Sequence, residues 1–273
     1  MNNANLAHKV YQKESIKYKL NIREPKFTEK QKKLIEIIKN KNSKVNFVRG
    51  PSGTSKTFLA VYCALELLNT GRIKEIILIR SIAESSSLQM GHLPGNTHEK
   101  LEPFMCPFYD KFKELINVQE FEKLKAEERI VILPVNYLRG RQFNAAFMIF
   151  DEAQNATLEE IQTVITRIGK YSKLIIAGDT DQVDFARGKK IDSSFEHFYH
   201  WYDNNLAIDK GIYCFKFNSE DVMRDEVVAY FIEEYKKIKA TLSIKAEEEK
   251  QKKIPVQNYI ELMQQDWHPN DKK

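Results

Sequence analysis

The sequence predicts an α/β fold, a mostly parallel sheet with helices on both faces. Three observations predict it. Strand-like apolar runs alternate with helical stretches over most of the chain, the order that builds strand–helix–strand crossovers. A glycine-rich turn, GPSGTSKT at Gly50 to Thr57, follows directly on the apolar run Val45 to Val48. A second apolar run, Phe147 to Phe150, delivers Asp151 and Glu152 at its carboxyl end, the edge where doubly wound sheets bind ligands.

Taken in order, residues 1–25 are polar and basic without clear periodicity and read as an N-terminal arm or short flanking element. Thr28 to Asn40 has helical spacing, with Leu34, Ile35, Ile37 and Ile38 apolar. Strands are predicted at Val45–Val48, Glu75–Ile79, Ile130–Pro134, Ala146–Phe150, Leu174–Ala177 and Ile212–Phe217. Helices are predicted at Lys56–Asn69, His98–Leu115, Leu158–Ile168 and Val222–Lys239. Residues 26–240 thus form the main domain. Residues 241–273 are a charged tail, with the run KAEEEKQKK and then a short helix-like segment after Pro255.

A hydrophobic content of 42% is enough for a core. The formal charge of +5 permits a nucleic-acid partner without requiring one. Cys63, Cys106 and Cys214 are widely spaced, so a disulfide framework or a zinc site is not expected and each reads as a small buried residue. No apolar run is long enough to span a bilayer, and the N-terminus lacks a signal-type segment, so no membrane association and a cytoplasmic location are expected.

The turn Gly50, Pro51, Ser52, Gly53, Thr54, Ser55, Lys56, Thr57 has the composition of a phosphate cradle. Backbone N–H groups and a helix N-terminus converge on an anion there. Lys56 would reach the outer phosphates and the Thr57 hydroxyl would take Mg²⁺. Ser55 stands where glycine is preferred, and the plain alternative is a Gly/Ser-rich loop before an ordinary helix. Asp151 is placed to hold Mg²⁺ and Glu152 to activate water, or both are N-terminal charges of the next helix. Downstream, Gly178-Asp179 ends the next strand and is followed by Asp181 and Gln182. Gln182 is suited to sense a γ-phosphate and orient a water, unless the segment is a simple turn.

DEAQ with GDTDQ downstream resembles motifs II and III of superfamily 1 helicases. More closely, the chain resembles the PhoH-like ATPases through GPSGTSKT, HLPGNTHEKLEPFMCPFYD, RGRQFNAAFMIFDEAQNAT, TRIGKYSKLIIAGDTDQVD and NSEDVMRDEVVAY. The resemblance covers roughly Phe27 to Tyr235. It departs at Ser55, where Gly is commonest, and at Arg80-Ser81, where the family usually has Arg-Pro.

The resemblance implies a RecA-like P-loop NTPase that binds ATP and Mg²⁺ and hydrolyses the γ-phosphate. It makes Gln31 a reader of the adenine edge, although Thr28 to Gln31 is equally a capping-box pattern. It makes Arg80 a nucleic-acid contact, with pairing to a nearby carboxylate the alternative. Arg224 is the candidate arginine finger and Arg167 its backup, each otherwise a salt-bridging helix residue. Arg139 and Arg141 are candidates for RNA or single-stranded nucleic acid, whereas Phe104 and Phe108 have the i, i+4 spacing of a buried face.

Because one such domain carries half of a two-lobed site, a homo-oligomer, a hexameric ring, is expected. A phage version of the family is one reading of the chain, for which the cytoplasm would be the host's. Two functions compete. One is a helicase-like remodeller driven by RNA or single-stranded nucleic acid. The other is a nucleotide-gated switch or scaffold with slow hydrolysis independent of nucleic acid.

Overall fold

Six strands form one sheet in the order β3-β2-β4-β5-β1-β6, and every neighbouring pair is parallel. The computed structural model describes residues 13–81, 106–179 and 193–223, together with individual positions between 227 and 242. The chain divides into two units, 1–223 and 224–273. In the first, the strands are β1 (Val45–Arg49), β2 (Glu75–Arg80), β3 (Ile130–Pro134), β4 (Ala146–Phe150), β5 (Lys173–Gly178) and β6 (Ile212–Lys216). The helices are α1 (Glu29–Lys39), α2 (Lys56–Asn69), α3 (Cys106–Leu115), α4 (Val118–Ala126), α5 (Leu158–Ile165), α6 (Ser194–Tyr202) and α7 (Asn205–Asp209). This is the expected α/β fold, a parallel sheet flanked by helices.

Near-continuous apolar strands are what a sheet covered on both faces requires. Alternation then sends successive side chains to opposite layers. Ile76, Leu78, Phe147, Ile149 and Ile175 pack with α1, α2, α3 and α4 on one face. Ile77, Ile79, Met148, Phe150, Leu174 and Ile176 pack with α5 and α6 on the other. Helix α2 is buried nearly all round, from Leu59 to Leu68, because it fills the middle of the first layer. Full burial of each large side chain in these layers stabilises by about 1.5–3 kcal/mol.

Local sequence explains the helix starts. Thr28 and Gln31 cap α1 reciprocally, as do Asn117 and Glu120 for α4 and Thr157 and Glu160 for α5. Helix α5 ends at Ile165 rather than at Ile168. There the Thr166 hydroxyl donates to the Gln162 carbonyl at 2.9 Å, and Ile168 forms a β-bridge with Phe143. Helices α4, α6 and α7 had no counterpart in the sequence prediction. Cys63 is buried, but Cys106 is exposed at the start of α3 and Cys214 is half-buried, which corrects the expectation for those two.

The stretch before α1 docks on the domain. Leu20 is buried, its N–H donates to Asn69 at 2.7 Å, and the Arg23 N–H donates to the Leu115 carbonyl at 2.8 Å. In the second unit, the described positions between 227 and 242 are helical, whereas Val222 and Met223 of the first unit are not. No helix among the described residues is long and apolar enough to cross a membrane.

Candidate functional site

Parallel pairing brings the carboxyl ends of β1, β5 and β4 together, since β5 lies between the other two. The chain leaves β1 through Gly50, whose N–H donates to Gly178 at the tip of β5 at 3.2 Å. Gly50 has no room for a side chain, because a Cβ there would stand 2.6 Å from the Cβ of buried Phe217. Gly53 takes φ +88° and Ser55 φ +64°, so the loop turns twice through the left-handed region. Ser55 is thus the N-cap of α2 in a conformation that favours glycine, and it makes no side-chain cap bond.

Within the loop, the Lys56 ammonium donates to the Gly50 and Pro51 carbonyls at 2.6 and 2.9 Å. Buried Thr54 donates both its hydroxyl, at 2.8 Å, and its backbone N–H, at 3.4 Å, to the Pro51 carbonyl, so this residue closes the turn from within. The Thr57 hydroxyl donates to Asp151 at 2.8 Å, joining the first turn of α2 to the tip of β4 across 94 residues. Asp151 is buried. Burial and the neighbouring Glu152 charge hold its carboxyl above the usual carboxylate range, and the Thr57 hydroxyl, Arg80 and Lys56 draw it partly back. A hydroxyl and a buried carboxylate held together beside a lysine suit a hard divalent cation, which accepts oxygen ligands and neutralises such a carboxylate.

Glu152 also lies in the left-handed region, at φ +55°, a strain of the kind found at functional sites. Its carboxylate accepts a hydrogen bond from the Gln154 amide at 2.6 Å, while the same amide's oxygen accepts the Asp179 N–H at 2.9 Å. Because a backbone N–H can only donate, this fixes which way the amide faces. Gln154 is buried and ties Glu152 to the tip of β5. Sequence reasoning assigned Gln154 no role, and its signal was its place two residues after Glu152 in DEAQ.

The remaining candidates separate. Arg80, at the tip of β2, lies over the Phe108 ring at 5.3 Å and within the electrostatic reach of Asp151, and its buried Nε has no hydrogen-bond partner among the described residues. Phe108 is fully buried, as its spacing predicts. The next residue, Ser81, donates its hydroxyl to the Glu160 carboxylate, which also caps α5. Gln31 is buried and completes the capping box of α1, its oxygen accepting the Thr28 N–H at 3.0 Å.

Arg167 is not brought to the loop of its own chain. It follows α5, bonds Arg141 through the latter's carbonyl, and accepts the Phe143 N–H, all near the amino end of β4. That is the edge opposite the loop, about 16 Å away along a five-residue strand. Arg139 and Arg141 lie on the segment returning to the same edge. Gln182, Arg224 and Phe104 lie outside the described residues, as does the segment HLPGNTHEK that carries part of the resemblance.

A parallel sheet presenting a lysine-bearing glycine loop and, with one strand between, a hydroxyl-bonded aspartate has the architecture of P-loop nucleoside triphosphatase folds, and the chain has that fold. It belongs to the PhoH-like family, whose model, described as PhoH-like protein, matches residues 24–236. The chain is 37% identical over 204 residues to a PhoH-like protein of Bacillus subtilis (strain 168), covering 72% of this chain and 60% of the relative. It is 33% identical over 214 residues to one of Synechocystis sp. (strain ATCC 27184 / PCC 6803 / Kazusa), covering 78% and 62%. Protein PhoH of Escherichia coli (strain K12) is 33% identical over 144 residues, covering 52% and 40%. The chain therefore spans about three fifths of the length of the first two relatives.

Proposed function

We propose that the protein is a Mg²⁺-dependent ATPase acting with RNA or single-stranded nucleic acid. The observation that carries the reading is the 2.8 Å bond from Thr57 to Asp151. It pairs a hydroxyl at the loop helix with a carboxylate at the tip of β4, across the intervening β5, the two groups that would hold a metal between them. Thr57 and Asp151 would hold Mg²⁺, which would supply positive charge to offset the charge developing on the transferring phosphoryl group. Gly50 to Thr57 would bind the phosphates through backbone N–H groups, with the Lys56 ammonium moving from the Gly50 and Pro51 carbonyls onto phosphate oxygen. Glu152 would accept a proton from water and Gln154 would orient it. Arg224, with Arg167 the alternative, would act from a neighbouring copy in a homo-oligomeric ring.

One observation favours the gated reading as a second: Glu152 is bonded to an amide anchored at the tip of β5, so its freedom to meet water would depend on that tip. Steady-state ATPase assays with and without poly(U), at two salt concentrations, test both. We expect poly(U) to stimulate the wild type at low salt. Glu152→Gln should lose about 10²–10³-fold in kcat with nucleotide binding retained, and Lys56→Ala should lose binding and turnover together. No stimulation leaves the gated reading, and full turnover by Glu152→Gln removes hydrolysis by this site altogether.

A further inference from the structure

At the amino edge of the sheet, opposite the glycine loop, the segments leading into the strands form a basic rim. Lys44 precedes β1, Lys74 precedes β2 and Lys170 lies three residues before β5, with Arg141 and Arg167 beside them. The connecting segments are locked together. The Lys74 N–H donates to Ala145 at 2.6 Å, the Ala145 N–H to Lys170 at 2.8 Å, the Lys170 N–H to the Asn144 side chain at 2.8 Å, and the Leu174 N–H to Lys44 at 2.8 Å. Gly169 sits so tightly between them that a Cβ would stand 2.2 Å from the Asn144 side chain and 2.3 Å from the Phe143 carbonyl. The cations are therefore presented from a fixed platform crossing β2, β4, β5 and β1, about 14 Å at the usual strand spacing.

The rim's charge is not neutralised locally. Among the described residues none of these five cations has an ion pair. Between residues 135 and 173 the carboxylates are Asp151, Glu152, Glu159 and Glu160, all after the carboxyl end of β4. Glu75 is buried and paired with Lys13 at 2.8 Å. Other acidic residues bound the rim, with Glu127 and Glu128 before β3 at one end and Asp209 before β6 at the other.

Within the rim, Tyr171 is 85% exposed and holds φ +61°. An exposed aromatic ring in a left-handed turn costs about 1–2 kcal/mol over a glycine-like residue. The ring follows Lys170 directly in this basic rim, and cations with an aromatic face are the combination that binds unpaired bases.

We propose that this rim is a binding surface for single-stranded nucleic acid, with Tyr171 stacking on a base and Lys44, Lys74, Arg141, Arg167 and Lys170 holding phosphates. It rests on the nucleic-acid part of the reading above and adds where the strand lies, on the edge away from the nucleotide loop.

Fluorescence anisotropy with a labelled 20-nucleotide oligouridylate and a duplex RNA of equal length, across a salt series, tests it. Tyr171→Ala should weaken oligouridylate binding about tenfold while Tyr171→Phe binds like the wild type. The Lys44→Ala/Lys170→Ala pair should reduce the slope of log affinity against log salt by about 1.4, at roughly 0.7 per phosphate released. Wild-type affinity and slope in these variants would overturn the rim and leave the function reading standing. Tighter binding of duplex, with Tyr171→Ala without effect, would also overturn it. A wild type that fails to bind oligouridylate at low salt would sink both.

Discussion

Ser55 occupies the left-handed position at the head of α2 without a side-chain cap bond in return. A non-glycine residue there costs about 1–2 kcal/mol, partly offset because glycine gains entropy in the unfolded chain by roughly 0.4–1 kcal/mol. Ser55→Gly should therefore stabilise the protein slightly and raise its melting temperature by about 2 °C, measured by differential scanning calorimetry. An unchanged or lower value would show that the hydroxyl holds the loop by a contact worth as much as the strain. The positive φ also explains why sequence alone marked Ser55 as an anomaly without giving its cost. Composition identifies the residue type that a turn prefers, and only the backbone angle shows that the turn demands it. Glu152 carries the same strain at the other strand tip.

Among the elements, the loop depends on β6 as much as on its own strand. Phe217 follows β6, and its N–H donates to the Arg49 carbonyl at 2.8 Å while its Cβ fills the space over Gly50. Gly50→Ala should destabilise by about 1–3 kcal/mol, because the obstructing atoms include Phe217 backbone as well as its Cβ. A urea midpoint equal to the wild type would show that β6 yields. The strands were legible because six apolar runs are bounded by polar segments, and α2 because its periodicity begins at the end of a glycine turn. Helix α6 was not, since its run SFEHFYHWY carries aromatic residues on buried and exposed faces alike, with Phe195 buried and Trp201 77% exposed. The Thr57–Asp151 pair was foreshadowed by two motifs, but the bridge through Gln154 depends on an amide orientation that no spacing encodes.

For the whole molecule, alkaline stability follows from groups the fold keeps protonated. Burial pushes Tyr18, Tyr62, Tyr199, Cys63 and Cys214 up to about 12, from 10.0 for the tyrosines and 9.0 for the cysteines. The unfolded chain releases these protons first, so their contribution is intact below about pH 9 and is lost as pH rises toward 12. Lys173 works in the opposite sense. Burial lowers it from 10.5 to about 8, while its ammonium donates to the Asn40 and Ser43 carbonyls. Between those values the unfolded chain holds the extra proton, so stability rises with pH through that window. Urea midpoints measured from pH 7 to 11 should climb slightly above pH 8 and fall above about pH 10. Lys173→Met should abolish the climb, and a wild-type climb in that variant would contradict the assignment.

The Glu160 carboxylate that seals the first turn of α5 is also the anchor for Ser81, where the chain departs from β2. One side chain is therefore shared between a helix's internal stability and a tether to another strand. A pull on the chain beyond Ser81 loads the cap of α5 directly, and through the connected Ala153–Asn155 turn it loads Gln154 and Glu152. The exit of β2 and the carboxylate at the tip of β4 are thus mechanically in series, with the cap of α5 between them.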